Sequence, residues 1–357
     1  MVNSNPPVFH FGDRAIGGDS PPFCIAELSG NHNGSYDRAF EMLRAAAGAG
    51  ADAVKVQTFT ADSITLDSDR PEFQAEGLWE GRTLHELYAE AAMPWEWQRD
   101  LADEARRLDV KFFSSPFDLT SVEFLESIDV EAYKIASFEL VDIGLIAAVA
   151  ATGKPMIMST GMATLSEIEE AIQTARDAGN HSLALLACTS SYPAPASAAN
   201  LVKIRHLAET FGVVTGLSDH TIGPEVAIAA TALGASIIEK HFTLRRSDGG
   251  VDSAFSLEPE EFRSLVDSVR IARAAQGELH YGPTEADHSS VAYRRSLYVA
   301  RPVKAGAIIS AGDFRSVRPG GGLHTRHLEE LVGQVARYDL TFGTPVTWDM
   351  TEPAPAA

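Results

Sequence analysis

Short apolar runs recur through most of the chain, and segments with helical patterning separate them. The runs do not alternate between apolar and polar positions, which is typical of parallel strands that are buried on both faces. They predict eight strands, over residues 23–27, 53–57, 111–114, 132–135, 155–159, 183–188, 213–216 and 236–240.

Helical patterns fill the gaps between these strands, for example over residues 36–49, 95–108, 165–178 and 224–233. Eight strand–helix units in roughly 275 residues match the size of a TIM (β/α)₈ barrel, so we predict an α/β protein of this architecture. A doubly wound sheet is the alternative. It requires a glycine-rich fingerprint after its first strand, and the segment AELSGNHNGS does not supply one.

The patterning changes near Gly282, where a polar segment is followed by short apolar runs and turn signals. We predict a catalytic barrel over residues 1–282, a linker over 283–294 and a small β-rich domain over 295–357. That domain includes a predicted helix near 328–331 and a tail, EPAPAA, that we expect to be disordered. The long connection between Gln57 and Trp95 contains Trp79, and loops of this length are usually lids or binding loops.

The formal net charge of −20 argues against a nucleic-acid partner, because a phosphate backbone requires a basic surface. No run reaches the about 18 apolar residues of a membrane span. The N-terminus also lacks the basic region and apolar core of a signal peptide. With only two cysteines, too few for a disulfide framework, the chain is expected to be cytoplasmic and not associated with membranes.

Candidate chemistry lies at the carboxyl ends of the predicted strands, where TIM barrels carry their active sites. Lys55 and Lys134 occur inside otherwise apolar strands, and lysine is rarely buried without a partner. A structural ion pair with Glu27 or Glu139, an anion clamp and a Schiff-base lysine all remain open. Serines at neighbouring strand ends can donate hydrogen bonds to phosphate or carboxylate oxygens, which favours the clamp.

Two histidines, His220 and His241, follow the last two predicted strands. Adjacent barrel strands lie about 4.8 Å apart, so the two rings could share one divalent ion. Imidazoles with water and substrate oxygens suit Mn²⁺ or a similar ion. Cys188 is a possible third ligand, although a buried inert thiol is the simpler interpretation.

Nine ordered motifs resemble the sialic acid synthase family, whose members join phosphoenolpyruvate to an amino-sugar aldehyde. They are IAELSGNHNGS, DAVKVQTFT, FFSSPFD, YKIASFEL, MSTGMAT, CTSSYPAP, GLSDHTIG, IEKHFTL and SVRPGGGL. The resemblance implies a TIM barrel followed by an antifreeze-like (SAF) domain. Within the family, the segment GLWEGRTLHELYAEAAMPWEW is similar to the pseudaminic acid synthases.

The resemblance also implies roles for particular residues. The metal ligands would be His220 and His241, holding Mn²⁺, or else Mg²⁺ or Co²⁺. Phosphoenolpyruvate would be held by Lys55, Ser115, Lys134, Ser137, Ser159 and Ser218. The sugar would contact Glu27, Tyr192, Asp252 and Arg318, with Arg318 reaching into the partner's barrel in a domain-swapped homodimer. Glu139, Lys134 and Glu27 would be the catalytic residues, and Glu139 the candidate for moving protons.

The implied reaction joins phosphoenolpyruvate, water and 2,4-diacetamido-2,4,6-trideoxy-altrose to give pseudaminic acid and phosphate. One departure concerns Ser190, where synthases of sialic acid itself usually carry Asn. It weakens N-acetylmannosamine as the substrate, although N-acetylneuraminate or legionaminic acid synthesis remains an alternative with the same chemistry. More distant alternatives are a class I aldolase using Lys134 and a carbohydrate- or ice-binding protein.

Overall fold

The computed structural model describes residues 7–355. Part of the N-terminus for which we predict no signal peptide, and the end of the predicted disordered tail, lie outside the described residues. The chain divides into two compact units, Met1–Gly277 and Glu278–Ala357. In the described part of the chain, no helix combines the length and apolar character needed to cross a bilayer.

The first unit is a closed barrel of eight parallel strands, as the apolar runs predict. An antiparallel hairpin, β1 (Val8–Phe11) and β2 (Arg14–Gly17), precedes it. The barrel strands are β3 (Phe23–Glu27), β4 (Ala53–Thr58), β5 (Lys111–Pro116), β6 (Tyr133–Ile135), β7 (Met156–Ser159), β8 (Leu183–Cys188), β9 (Val214–Asp219) and β10 (Ile237–His241). Strand β10 pairs with both β9 and β3, which closes the barrel.

Helices surround the strands, and the four helices with predicted bounds agree with the structure to within one residue at each end. In the first unit they are α1 (Tyr36–Gly48), α2 (Ala61–Ile64), α3 (Leu84–Ala91), α4 (Trp95–Arg107), α5 (Leu119–Ser127), α6 (Ile143–Ala151), α7 (Leu165–Asp177), α8 (Val202–Phe211), α9 (Glu225–Ala232) and α10 (Pro259–Gln276). The side chains of Ser35 and Thr164 accept backbone hydrogen bonds at the starts of α1 and α7, which satisfies donors that a helix leaves free.

Side chains along each strand alternate between two apolar layers. On β3, Cys24 and Ala26 face the helices, whereas Phe23 and Ile25 face the barrel interior, as the two-residue period of a strand requires. Phe11 of the hairpin, which the sequence did not predict, joins the interior layer. Apolar residues therefore fill the amino-terminal part of the interior, and the polar strand ends lie at the opposite mouth.

The second unit is small and β-rich. It pairs β11 (Ser296–Val299) with β12 (Phe314–Val317), and β13 (Val335–Ala336) with β14 (Thr351–Glu352). Its helices are α11 (His288–Val291) and α12 (Leu328–Leu331), the latter at the predicted position. Buried apolar residues, including Leu297, Phe314 and Val346, give it a core of its own.

Candidate active site

The register of the barrel strands brings the predicted site residues together at one mouth. Glu27 lies opposite Lys55 on β4 and opposite His241 on β10. On the next pair of strands, Ser218 of β9 lies opposite Glu239 of β10. Residues separated by more than 200 positions in the sequence thus become neighbours, because parallel strands end at the same rim.

Lys55 is buried in an ion-pair network. Its Nζ lies 3.1 Å from Oε2 of Glu27 and 3.0 Å from Oε1 of Glu239, and it donates to Oγ of Ser115 at 3.5 Å. Burial lowers the pKa of Lys55, but Glu239 and Glu27 outweigh that effect and raise it. Lys55 is therefore a fixed cation, and its pairing with Glu27 is the structural ion pair that the sequence left open.

Glu27 is also buried, and Gln57 donates to its Oε1 at 2.8 Å. Burial raises the pKa of Glu27, while the neighbouring ammonium of Lys55 opposes that shift. The carboxylate is thus held between an amide and an ammonium at the rim of the barrel.

Lys134 has a different environment from Lys55. Its Nζ donates to the carbonyl of Ile135 at 2.8 Å, and no carboxylate within residues 7–355 forms an ion pair with it. Burial lowers the pKa of Lys134 to about 8, with Glu239 partly opposing the shift. This ammonium is available to an incoming anion, and its depressed pKa also suits a nucleophilic amine.

The four predicted serines line the same mouth with their hydroxyl groups. Ser115 accepts from Lys55, and Ser218 donates to Oε1 of Glu239 at 3.2 Å. Oγ of Ser159 is buried and has no hydrogen-bond partner among the described residues. A buried hydroxyl without a partner is costly, so Ser159 is well suited to a polar ligand.

The loop after β7 packs tightly against the loop after β6, where Ser137 lies. A Cβ added at Gly161 would fall 2.5 Å from Cβ of Ser137 and 2.9 Å from Oγ of Ser190. Only glycine fits there, and its φ of 35° is also unfavourable for other residues. This close approach brings Ser137 and Ser190 to the same pocket.

Glu139 follows β6 in a short 3₁₀ turn, Glu139–Val141. Its Oε2 is buried without a partner among the described residues. Burial raises the pKa of Glu139 to about 7, although a backbone hydrogen bond and Lys134 oppose the shift. A carboxyl group with this pKa can both accept and donate a proton near neutral pH.

The two candidate metal ligands lie side by side. The ring centroids of His220 and His241 are 5.2 Å apart. Nδ1 of His220 lies 2.9 Å from the carbonyl of Thr189, and Nδ1 of His241 lies 3.3 Å from Oγ of Ser29. Within residues 7–355, neither Nε2 has a hydrogen-bond partner, which is the arrangement expected of imidazoles that ligate through Nε2.

The residues present fit a metal that takes only part of its ligands from the protein. Nowhere in the described residues do three or more His, Cys, Asp or Glu side chains form a metal-binding cluster. Sγ of Cys188 lies 3.9 Å from Nδ1 of His220, on the opposite side of the ring from Nε2, so it is not placed to share an ion with that nitrogen. The residues present therefore fit an ion that two imidazoles would hold, with water and substrate oxygens completing its shell.

Two of the predicted sugar contacts, Tyr192 and Asp252, lie beside the histidines. The ring of Tyr192 lies 4.4 Å from His220 and 5.3 Å from Phe255, centroid to centroid. Oδ2 of Asp252 lies 3.8 Å from Nδ1 of His241, and burial raises the pKa of Asp252. Arg318 belongs to the second unit, where it is exposed and makes no hydrogen bond or ion pair with the described residues.

One residue of the site, Glu239, was not among those given a predicted role. Glu239 joins Lys55 to Ser218, and its Oε2 has no partner among the residues described. Its position beside Lys240 in the strand end EKH was the only available signal. Lys240 itself is structural, because its Nζ pairs with Asp219 at 2.7 Å on the helix side of the barrel wall.

Comparisons with known proteins agree with this geometry. Residues 42–281 match the NeuB family and residues 294–352 match the SAF domain. The chain is 43% identical to a pseudaminic acid synthase of Campylobacter jejuni, over 91% of this chain and 95% of that protein. It is 42% identical to a pseudaminic acid synthase of Helicobacter pylori, over 93% and 98% of the respective chains.

A solved structure is similar as well. The N-acetylneuraminic acid synthetase of Leptospira borgpetersenii, crystallised with citrate, superposes with a TM-score of 0.73 at 32% identity, covering 81% of this chain and 96% of that one. The family match, the relatives and the fold agree with the nine motifs. The chain therefore belongs to the NeuB family of sialic acid synthases.

Proposed function

We propose that this protein is a pseudaminic acid synthase. It would join phosphoenolpyruvate, water and 2,4-diacetamido-2,4,6-trideoxy-altrose to give pseudaminic acid and phosphate. The observation that carries the proposal is the pocket that combines Lys55, Lys134 and Ser159 with the His220–His241 pair at one mouth. The similarity to two pseudaminic acid synthases over more than 90% of the chain supports this acceptor.

The anion pocket orients phosphoenolpyruvate. Lys134 is free to pair with a carboxylate or phosphate group, while Lys55 adds a fixed positive charge. The unpartnered hydroxyl of Ser159 and those of Ser115, Ser137 and Ser218 donate hydrogen bonds. Because two freely diffusing substrates must be aligned, this orientation supplies much of the acceleration, roughly 7–11 kcal/mol in well-aligned systems.

His220 and His241 would hold the divalent ion through Nε2. When bound, the ion polarises the aldehyde oxygen of the acceptor as a Lewis acid. We propose Mn²⁺, with Mg²⁺ or Co²⁺ as alternatives, because imidazole and oxygen ligands together suit an ion of intermediate softness.

The carbon–carbon bond forms when C3 of phosphoenolpyruvate attacks the aldehyde carbon, and the resulting alkoxide takes up a proton from a water molecule. A second water adds to the cationic C2 and loses one proton. The C2–O bond to phosphate then breaks as the new C2 hydroxyl gives its remaining proton to the departing phosphate, which leaves a ketone and inorganic phosphate. Glu139, whose pKa is raised to about 7 by burial, accepts the proton that the second water loses. Glu27, Tyr192 and Asp252 hold the polar groups of the sugar.

The predicted domain-swapped homodimer is part of the proposal. Arg318 of the partner subunit would complete each barrel mouth, because a guanidinium fork orients a polar sugar as well as supplying charge. The cytoplasmic location also remains a prediction.

One observation favours a second candidate, a class I aldolase. Burial lowers the pKa of Lys134 to about 8, which is a property of lysines that form Schiff bases. However, a Schiff-base mechanism leaves the His220–His241 pair without a role. It needs no metal, so activity that persists in EDTA together with borohydride trapping of a pyruvoyl adduct would favour it.

The decisive experiment measures phosphate release from phosphoenolpyruvate with a panel of acetamido and diacetamido hexoses. We expect the highest kcat/KM with the 6-deoxy diacetamido altrose isomer and inactivation by EDTA. A higher kcat/KM with N-acetylmannosamine or with the legionaminic acid precursor would replace the proposed acceptor by that sugar. Sugar binding without phosphate release under any metal would instead indicate a carbohydrate-binding protein.

A further inference from the structure

The long connection between β4 and α4, residues 59–94, covers part of the barrel mouth; we refer to it as the lid segment. Its last residues are fixed to the loop after β3, where Nε2 of His32 lies 3.2 Å from the carbonyl of Ala91. Near its middle, Trp79 is half-buried although its neighbours Leu78 and Glu80 are exposed. This inward-facing aromatic residue has no part in the mechanism derived above.

Trp79 joins the lid segment to the loop that carries a predicted sugar contact. Its indole Nε1 donates to the carbonyl of Val251 at 2.9 Å, and the next residue is Asp252. The loop begins with Gly249 and Gly250, whose φ values are 73° and 125°. Asn33 Nδ2 donates to the carbonyl of Gly249 and Ser256 Oγ donates to the carbonyl of Asp252. The indole hydrogen bond adds a third restraint, at Val251, to a loop whose glycines would otherwise let its backbone rearrange.

The indole ring also extends the aromatic wall of the site. Its centroid lies 6.0 Å from that of Tyr192 at an interplanar angle of 54°, and Tyr192 in turn lies 4.4 Å from His220. The order from the metal ligands outwards is therefore His220, Tyr192 and Trp79. An open-chain hexose that bound with its aldehyde at the histidines and followed this wall would place its far end at Trp79.

We propose that Trp79 is a specificity-determining residue that selects acceptors with an apolar far end. The inference rests on the proposed function and assigns Trp79 two tasks. Its ring gives a 6-methyl group an apolar surface, where a 6-hydroxyl group would lose its hydration. Its N–H holds the Val251 carbonyl and thereby positions Asp252. An apolar wall rejects an added hydroxyl only weakly, by about 10²-fold at most, so the selection is a preference.

The test compares Trp79→Phe and Trp79→Ala with the wild-type protein, using two acceptors that differ only in the 6-hydroxyl group. We expect wild-type kcat/KM to favour the 6-deoxy acceptor by about 10- to 100-fold. Trp79→Phe keeps the ring and loses the hydrogen bond, so it retains most of this ratio while the acceptor KM rises about fivefold. Trp79→Ala loses both features, and the ratio falls towards one.

The KM for phosphoenolpyruvate serves as an internal control, because the anion pocket does not involve the lid segment and should remain unchanged. Leu78→Ala is the matched variant, since Leu78 is adjacent and 52% exposed, and it should leave the ratio intact. If Trp79→Ala is unstable, the test is the KM of Trp79→Phe for the acceptor, compared with that of the wild-type protein. If the KM for the acceptor and the kcat/KM ratio between the two acceptors are unchanged in the Trp79 variants, the inference is wrong, although the proposed function still stands. Failure of the wild-type protein to release phosphate with any acceptor overturns both.

Discussion

The imidazole rings of His220 and His241 face each other with centroids 5.2 Å apart and planes inclined at 59°. Each ring is oriented through Nδ1, by a carbonyl in one case and a hydroxyl in the other. When both rings are neutral, this leaves two Nε2 lone pairs that could bind one ion. Burial, together with repulsion from His220 when that ring is protonated, lowers the pKa of His241 well below its ordinary value, so His241 is neutral at physiological pH.

Replacing either histidine by alanine should remove both the metal and the activity. The described residues contain no cluster of three or more His, Cys, Asp or Glu side chains that could hold a metal, so an ion held by these two imidazoles would be weakly bound once one of them is lost. Metal content after dialysis, measured by mass spectrometry, should fall well below one ion per chain in His220→Ala and in His241→Ala. Full turnover in a metal-free double variant would exclude a role for the metal.

Lys134→Met should weaken phosphoenolpyruvate binding and yet stabilise the fold. Burial lowers the pKa of Lys134 from its ordinary 10.5 to about 8. Keeping this lysine charged therefore costs free energy in the folded state. We expect the variant to gain about 1–3 kcal/mol in free energy of unfolding at neutral pH. A raised KM for phosphoenolpyruvate, or loss of binding, should accompany this gain.

The expected gain in stability depends on pH, because burial lowers the pKa of Lys134. A lysine with a depressed pKa destabilises the folded state fully below about pH 8, and the effect disappears as the pH approaches 10.5. The difference in Tm between Lys134→Met and the wild-type protein should therefore be largest below pH 8. A borohydride-trapped pyruvoyl adduct on Lys134, or a destabilised variant with normal phosphoenolpyruvate binding, would contradict the anion-clamp interpretation.

Glu139→Gln should change the pH profile of the reaction. Glu139 has a pKa of about 7, and only its ionised form accepts a proton from the attacking water. Wild-type kcat/KM should therefore rise with pH through about 7 and then level off. The variant should be about 10²- to 10⁴-fold slower and lack this rise. Persistence of the same rise in Glu139→Gln would assign the proton transfer to another group.

Asp219→Ala should destabilise the barrel without any direct effect on substrate contacts. Asp219 and Lys240 form a buried ion pair at 2.7 Å, and removal of one partner leaves an uncompensated buried charge that typically costs about 3–5 kcal/mol. Urea unfolding measures this loss. Glu209→Ala is the matched control, since its pair with Arg205 is exposed and is worth at most about 1 kcal/mol. Equal effects of the two substitutions would show that the buried pair is not structurally important.

A complementation experiment tests whether active sites are shared between chains. His220→Ala and Arg318→Ala proteins, each expected to be nearly inactive, are mixed under conditions that allow subunits to exchange. If Arg318 serves the partner's barrel, mixed dimers regain one intact site, and a substantial fraction of activity returns. No recovery, despite demonstrated mixed dimers, would show that Arg318 acts within its own chain or in no site.

The barrel, and the rim at which its polar residues meet, were predictable from the pattern of apolar strands. Apolar strands such as Leu183–Cys188 are recognisable without tertiary information, because a strand buried on both faces has to be apolar throughout. Polar residues at the ends of such strands, including His220 and His241, must meet at one rim once the barrel is accepted. The nine motifs then identified the family.

The pairing of the polar side chains was not predictable, because side-chain contacts depend on strand register and on depth in the barrel, which no local sequence pattern records. Lys55 pairs with Glu239 as well as Glu27, Lys240 pairs with Asp219, and Lys134 has no carboxylate partner within residues 7–355. The sequence shows three lysines in barrel strands, and only their positions in the barrel wall determine which of them are paired with carboxylates and which is not. The contact between Trp79 and Val251 spans 172 residues, and only the closure of the barrel brings those two loops together.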